Sequence, residues 1–333
     1  MSSPTTPEAS GAPAMTVHDV GLRAAAILDE VDRAVVGKRA ALELVLSAAL
    51  AGGHVLLEDF PGLGKTLAAR SFAQTLGLEF RRAQFTPDLL PGDLTGSFIY
   101  DQRAGEFNFR KGPLFAGLLL ADEINRTPPK TQSALLEAMQ ERQITVEGET
   151  FVLPEPFIVL ATANPVEYEG TYPLPEAQLY RFLMRVSFGY PNAEEEEEVL
   201  RRRLKRQREE QTLNAISDPA SVVAMQRAVE TVTVDTTITR YCVDLSAATR
   251  THAHIMVGAS PRGALGLLLA ARGLAVVRGR DYVVPEDVKA VAHPVLAHRI
   301  TLKPELWMTS VNAHSVVDAV LGTVPAPSAR ERV

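Results

Sequence analysis

The run Glu58-Asp59-Phe60-Pro61-Gly62-Leu63-Gly64-Lys65-Thr66 constrains this chain more than any other stretch. An apolar segment, His54-Val55-Leu56-Leu57, precedes it, and a helix-forming one that begins at Leu67 follows. Strand, glycine-rich loop and helix in that order form the context of a phosphate-binding loop. Gly62 and Gly64 reach backbone angles closed to other residues, so successive N–H groups can face phosphate oxygens. Lys65 is placed to reach the β- and γ-phosphates, and Thr66 to ligate Mg²⁺. The helix N-terminus adds the positive end of its dipole. Pro61, Leu63 and Leu67 complete the expected nucleotide-binding set. The generic pattern has glycine at position 59, where this chain has Asp59. Taken alone, the same residues would also make a glycine-rich turn that caps a helix.

A second segment, Leu118-Leu119-Leu120-Ala121-Asp122-Glu123, is an apolar strand ending in two acids. Such a run reads as a strand covered on both faces of a parallel sheet. Ligands of open α/β sheets bind at the carboxyl ends of the strands, where these acids would sit. Asp122 fits a Mg²⁺-holding carboxylate, acting through a water, and Glu123 the base that polarises an attacking water. Many strands end in solvated acids, so the pair gains its meaning from the loop that precedes it. A third strand, Phe157-Ile158-Val159-Leu160-Ala161-Thr162-Ala163, ends at Asn164. Its amide would lie beside Glu123 and bond the γ-phosphate and the attacking water. Read by itself, Asn164 simply starts a turn before Pro165.

Six segments in this order resemble the MoxR family of AAA+ ATPases. They are residues 61–66, Asp122-Glu123-Ile124-Asn125-Arg126, Asn164-Pro165, Tyr172-Pro173-Leu174-Pro175-Glu176-Ala177-Gln178-Leu179, Arg181-Phe182 and Gly258-Ala259-Ser260-Pro261-Arg262. The resemblance covers roughly residues 16–320 and is far more specific than a lone phosphate-binding loop. It implies an α/β fold: an αβα nucleotide-binding core with a parallel sheet, followed by a smaller all-α lid. It further implies a homo-oligomeric, hexameric ring with ATP and Mg²⁺ between subunits. By that likeness Arg181 is the arginine finger that reaches a neighbour's γ-phosphate, and Arg262 is the sensor-2 residue reaching back from the lid. A planar cation at either place would offset charge that builds on phosphoryl oxygens. From residue type alone, each is an ordinary surface ion-pair partner. The family usually has Asp before the finger, where this chain has Tyr180.

Composition agrees with a globular enzyme. The chain has 333 residues, 46% hydrophobic and 22% charged, enough for two domains with a full core. A net charge of −6 gives no general affinity for nucleic acid. The single Cys242 excludes an internal disulfide framework and suits a reducing cytoplasm, the expected location. Its place in a helical segment reads as a buried, inert thiol. No apolar run is long enough to span a bilayer. The seven histidines show no metal-ligand spacing. His252 and His254, two apart on an expected helix, would point different ways.

The organisation reads as a disordered tail over residues 1–15, a core over 16–191, a lid over 192–322 and a flexible tail over 323–333. Helices are expected over about 17–34 and 39–51. The bend between them, at Val35-Val36-Gly37, corresponds to one that lies against the adenine in AAA+ proteins, which assigns Val36 and Gly37 to the base. A Gly-, Pro- and Asp-rich insertion is expected near 85–113, and a hairpin near 144–157 turning at Glu147-Gly148. Asn192 and Glu195 have capping-box spacing, and Glu197/Arg201 and Glu198/Arg202 are i,i+4 pairs. Further helices are expected near 219–231, 236–252, 261–279 and 285–297.

The reading that follows is a ring-forming ATPase that remodels or matures a partner protein. By resemblance, that partner carries a von Willebrand factor A-type domain. A nucleic-acid motor or loader is the alternative, marked by basic inserts. The insert at 85–113 has Asp88, Asp93, Asp101 and Glu106 against Arg103, Arg110 and Lys111, and residues 144–157 hold no Lys or Arg. That balance disfavours DNA. A weakly hydrolysing, ATP-gated scaffold is the third reading.

Overall fold

The computed structural model describes residues 15–164, 171–208, 211–306 and 309–327. The expectations for the ends and for Pro165 lie outside these residues, apart from the edges of the two tails. Helix α1 (Val17–Asp32) opens on a capping box in which Thr16 Oγ1 accepts from the Asp19 N–H at 3.1 Å. Helix α2 (Arg39–Leu50) follows the bend and leads to β1 (Val55–Glu58). After the glycine-rich loop come α3 (Lys65–Leu76) and β2 (Phe80–Gln84). The first insert holds α4 (Pro91–Thr95), β3 (Gly96–Asp101) and β4 (Glu106–Lys111). Then follow β5 (Leu118–Asp122), α5 (Pro129–Glu141), β6 (Gln143–Val146), β7 (Glu149–Val152), β8 (Ile158–Ala163), α6 (Glu176–Leu179) and β9 (Met184–Val186).

The main sheet is parallel throughout, in the order β2-β5-β8-β1-β9. Strand alternation divides its side chains between two layers. Leu118 and Leu120 face the cluster formed with α1, α2 and α3, while Leu119 and Ala121 face the cluster formed with α5. Every residue of β5 and β8 is buried. Two helical layers around the sheet explain why these strands are continuously apolar.

Both inserts are antiparallel hairpins. In β6–β7, Glu147 and Gly148 take positive φ (50° and 87°), as a tight two-residue hairpin turn requires. In β3–β4, Tyr100 stands opposite Phe107. Phe109 stacks on Phe151 at 4.0 Å between ring centroids, with Phe98 and Phe115 around them. The two hairpins are therefore joined by aromatic packing.

The second region begins with α7 (Ala193–Arg206), where the expected Asn192 capping box and both Glu–Arg pairs are present, each pair at 2.7 Å. Next are α8 (Pro219–Val229), α9 (Thr236–Thr251), β10 (Ile255–Val257), α10 (Pro261–Val277), α11 (Pro285–Leu296), β11 (Thr301–Leu302) and α12 (Ala313–Thr323). The lid is helical as expected, with one short antiparallel pair, β10–β11, between its helices. The expectation for His252 and His254 is corrected. The helix ends at Thr251, and the two rings meet edge-to-face at 5.3 Å. Cys242 is buried, and burial pushes its thiol up to about 12. Helix α10 packs against α2 at Gly273, where a Cβ would come within 2.3 Å of the Ser47 carbonyl oxygen. No helix among the described residues is long and apolar enough to cross a membrane.

His54, at the foot of β1, ties three elements together. Its Nδ1 accepts from the Val159 N–H at 3.0 Å, so Nε2 carries the proton it donates to the Met139 carbonyl at 3.2 Å. Burial, and then the Arg142 cation, push its pKa down to about 3. Below pH 6.5 the unfolded chain takes up a proton that the folded chain refuses, so stability falls with pH through the window from 6.5 to 3. From His54 alone, the unfolding free energy at pH 5 should be about 2 kcal/mol lower than at pH 7. Denaturant titrations at the two pH values check this, and equal midpoints would contradict a neutral, buried His54.

Candidate nucleotide-binding site

At the carboxyl end of β1 the chain turns through Gly62 and Gly64, with φ of +83° and +82°. A Cβ on either would meet nothing within 4 Å, so the turn is open toward whatever it cradles. Helix α3 starts at Lys65 with no side-chain cap, which leaves its first N–H groups facing outward. The cavity here is about 360 Å³ and is lined by Pro61, Gly62, Gly64, Lys65, Thr66, Leu67, Asp122, Glu123, Thr162 and Asn164. The structure thus brings together most of the residues singled out in the sequence. Leu63 lies within the loop but not on the cavity wall. Lys65 Nζ donates to the Asp59 carbonyl at 2.5 Å, and burial lowers its pKa against the opposing pull of Asp59, Asp122, Glu123 and Glu58.

The two acids are held by residues that the sequence reading missed. Asp122 Oδ1 accepts from Thr162 Oγ1 at 2.6 Å, and Oδ2 accepts from Arg82 Nη2 and Nε at 2.6 and 3.0 Å. Glu123 sits in the left-handed region (φ 57°). Its Oε2 accepts from Gln84 Nε2 at 2.8 Å and Arg126 Nη1 at 3.0 Å, while its N–H donates to Thr162 Oγ1 at 2.8 Å. The signal for Arg82 and Gln84 was their spacing of two on β2, which puts both on one face of a strand paired with β5. Asn164 is buried at the tip of β8, and its carbonyl accepts from Asn125 Nδ2 at 3.1 Å.

A lysine, a threonine hydroxyl, a carboxylate and a row of outward N–H groups around an open turn fit a nucleoside triphosphate with a divalent cation. Asp122 Oδ1 keeps acceptor capacity after its one present bond, which suits contact with an ion through water.

Asp59 does something a glycine could not. Its carboxylate is buried and accepts from Ser187 Oγ at 2.6 Å, Phe188 N–H at 2.6 Å and Gly189 N–H at 3.2 Å. Flanking it, Glu58 pairs with Arg185 at 3.1 Å, and the Phe60 and Tyr190 rings lie 5.8 Å apart. The β1–β9 pairing thus continues, through side chains, from the strands into the phosphate-binding loop.

The other expected site residues lie elsewhere. Val36 and Gly37 do not line the cavity. Glu195 of α7 crowds Gly37, where a Cβ would stand 2.2 Å from its Cδ. Arg181 and Arg262 share a second pocket of about 380 Å³ with Tyr180, Arg142 and Arg299, and no acid among the described residues lines it. Arg181 Nη1 donates to the Leu136 carbonyl.

A parallel α/β core with this loop and acid pair, joined to a helical lid, defines an AAA ATPase fold. The model of the ATPase family associated with various cellular activities (AAA) matches residues 54–184, and that of the AAA lid domain matches residues 247–320. An uncharacterised Bacillus subtilis protein, YeaC, is 47% identical over 306 residues, covering 92% of this chain and 95% of that one. Chaperone MoxR1 of Mycobacterium tuberculosis is 44% identical over 307 residues, covering 90% of this chain and 81% of that one. A crystal structure of a candidate ATPase from Cytophaga hutchinsonii superposes with a TM-score of 0.87 at 41% identity, covering 94% of this chain and 97% of the other. The chain belongs to the MoxR family of AAA+ ATPases.

Removing the Asp59 carboxylate strands two backbone donors. Asp59→Ala should therefore cost about 3 kcal/mol, and Asp59→Asn, which keeps one acceptor oxygen, clearly less. Urea midpoints for the two variants check this. Equal, small losses would mean that the loop does not depend on the contact.

Proposed function

We propose that this protein hydrolyses ATP within a ring of identical subunits and uses the energy to remodel a partner protein. The observation that carries the reading is the separation of charge on one chain. The phosphate-binding loop and the acids line one cavity, while Arg181 and Arg262 line another. Neither set is complete for phosphoryl transfer, and stacking one subunit's arginines on the next subunit's cavity completes both.

Within that cavity, the loop N–H groups and Lys65 bind the β- and γ-phosphates. Thr66, and Asp122 through a water, would hold Mg²⁺, which would supply neutralisation of phosphate charge. Glu123 accepts the proton of the water that attacks the γ-phosphorus, as the bond to the β-phosphate oxygen breaks. Asn164 orients that water. Glu123 is tied to Gln84 and Arg126 in the described arrangement, so it must exchange these bonds for the water before turnover. Arg181 and Arg262 of the adjacent subunit offset the charge gathering on the γ-phosphoryl oxygens.

For partner contact the β3–β4 hairpin is favoured, because Ile99, Tyr100 and Phe107 stand exposed on it. Its mixed charge supports a protein partner over nucleic acid. The relative named Chaperone MoxR1 agrees with that choice, and a partner with a von Willebrand factor A-type domain follows from the family resemblance.

Lys65→Ala should abolish ATP binding, and Glu123→Gln should keep binding while losing turnover. Binding by titration calorimetry and phosphate release check the pair, and parental turnover in Glu123→Gln would overturn the assignment. Arg181→Ala should bind ATP but hydrolyse it on the order of a hundredfold more slowly. Mixing Arg181→Ala with Lys65→Ala subunits should restore part of the activity, since an intact finger then faces an intact cavity. A mixture as inactive as its parts, under demonstrated subunit exchange, would remove the shared-site reading.

A further inference from the structure

Arg299, three residues beyond α11, is 3% exposed and has no carboxylate partner among the described residues. Its Nη2 donates to the Phe182 carbonyl at 2.8 Å, and Nη1 to the Leu183 carbonyl at 3.2 Å and to the Val295 carbonyl. Neutral His298, its own pKa held far below the usual imidazole value by burial, packs its Nε2 2.5 Å from Nη1 and 3.3 Å from the Phe182 carbonyl oxygen. Nε has no partner. Burial lowers the guanidinium pKa to about 10, so it stays charged at neutral pH.

A buried cation held by carbonyls and a neutral imidazole, without a carboxylate, costs stability that an apolar side chain of similar length would not. What it touches is informative. Phe182 and Leu183 directly follow Arg181. On the other side, the guanidinium lies against Gly266 of α10, whose ideal Cβ would stand 3.6 Å from Nη2. Gly266 is four residues after Arg262, one turn along the same helix face. One planar group therefore bridges the backbone carrying Arg181 and the helix carrying Arg262, and it lines the pocket they share.

We propose that Arg299 is a positioning residue that sets Arg181 and Arg262 at a fixed separation, so that both meet a neighbouring subunit's nucleotide together. The proposal rests on the shared-site reading above. Planarity matters here, because the rigid fork reaches adjacent carbonyls at once where a Lys ammonium is a single point.

The test compares Arg299→Met and Arg299→Lys with the parent and with Arg181→Ala, all at concentrations where rings form. Arg299→Met should melt no lower than the parent, bind ATP within twofold of it, and lose about tenfold in kcat. Mixed with Lys65→Ala subunits it should regain activity, because those subunits carry an intact Arg299. Mixed with Arg181→Ala subunits it should not, since both are defective on the same face. Arg299→Lys should fall between parent and Met, and it serves as the decisive variant if Arg299→Met does not assemble. Full kcat in an assembled Arg299→Met, or in Arg299→Lys where that variant decides, overturns the proposal. So does a loss of kcat matched by an equal loss of ATP affinity and not rescued by Lys65→Ala subunits. If Arg181→Ala itself is not rescued by Lys65→Ala subunits, the shared-site reading fails and this inference with it. If Arg181→Ala is rescued while Arg299→Met is fully active, only the role of Arg299 is lost.

Discussion

Parallel strands send all their carboxyl ends to one edge of the sheet, and the chemistry of this chain hangs from that edge. β1 delivers the unpaired N–H groups of α3, β5 delivers Asp122 and Glu123, and β8 delivers Asn164. An antiparallel arrangement would scatter these groups over both edges. The burial of β5 and β8 follows from the same constraint, because every crossover lays a helix on one face or the other. The apolar residues of these strands therefore hold the site together, although none of them touches it.

Local order made much of this readable before any coordinates. The glycine-rich loop, the acid pair and the helix spans are short-range patterns, and their physical causes lie within a few residues of one another. What escaped was long-range in the chain. Asp59 looked like a departure from a motif because its partners, Ser187, Phe188 and Gly189, lie about 130 residues away. Arg82 and Gln84 gave only an alternating polar pattern on an edge strand, with nothing to say that the neighbouring strand ends in acids. Arg299 had no motif at all. The β3–β4 hairpin was hidden by its glycines and acids, although Phe98, Tyr100, Phe107 and Phe109 do alternate around its turn.

Charge on this chain is arranged in two unbalanced halves. The first cavity gathers carboxylates and a lysine whose pKa burial lowers. The second gathers four arginines with no acid among its described lining residues. Arg142 and Arg299 reach backbone carbonyls, which orient a guanidinium without neutralising it. An uncompensated positive pocket repels its own members and favours an external anion. In the proposed ring a triphosphate would supply that anion, and its three negative oxygens on the terminal group match several planar donors better than one.

Tyr180 gains a meaning from this arrangement. A carboxylate in its place would stand in the arginine pocket and draw the guanidinium groups to itself. It would orient the finger by salt-bridging it, at the expense of charge available to a phosphate. Tyrosine lines the same pocket with a phenol where a carboxylate would otherwise stand. Orientation then comes from carbonyls: the Leu136 carbonyl accepts from Arg181 Nη1, and the Arg299 fork holds the Phe182 and Leu183 carbonyls that follow Arg181. On the proposed reading, Arg181 is held through its backbone by a lid residue and through its side chain by the Leu136 carbonyl, with no neighbouring acid. A displacement of α10 or α11 would consequently move Arg181 as well as Arg262. In a ring built this way, lid position and readiness of the adjacent nucleotide for hydrolysis are mechanically the same variable.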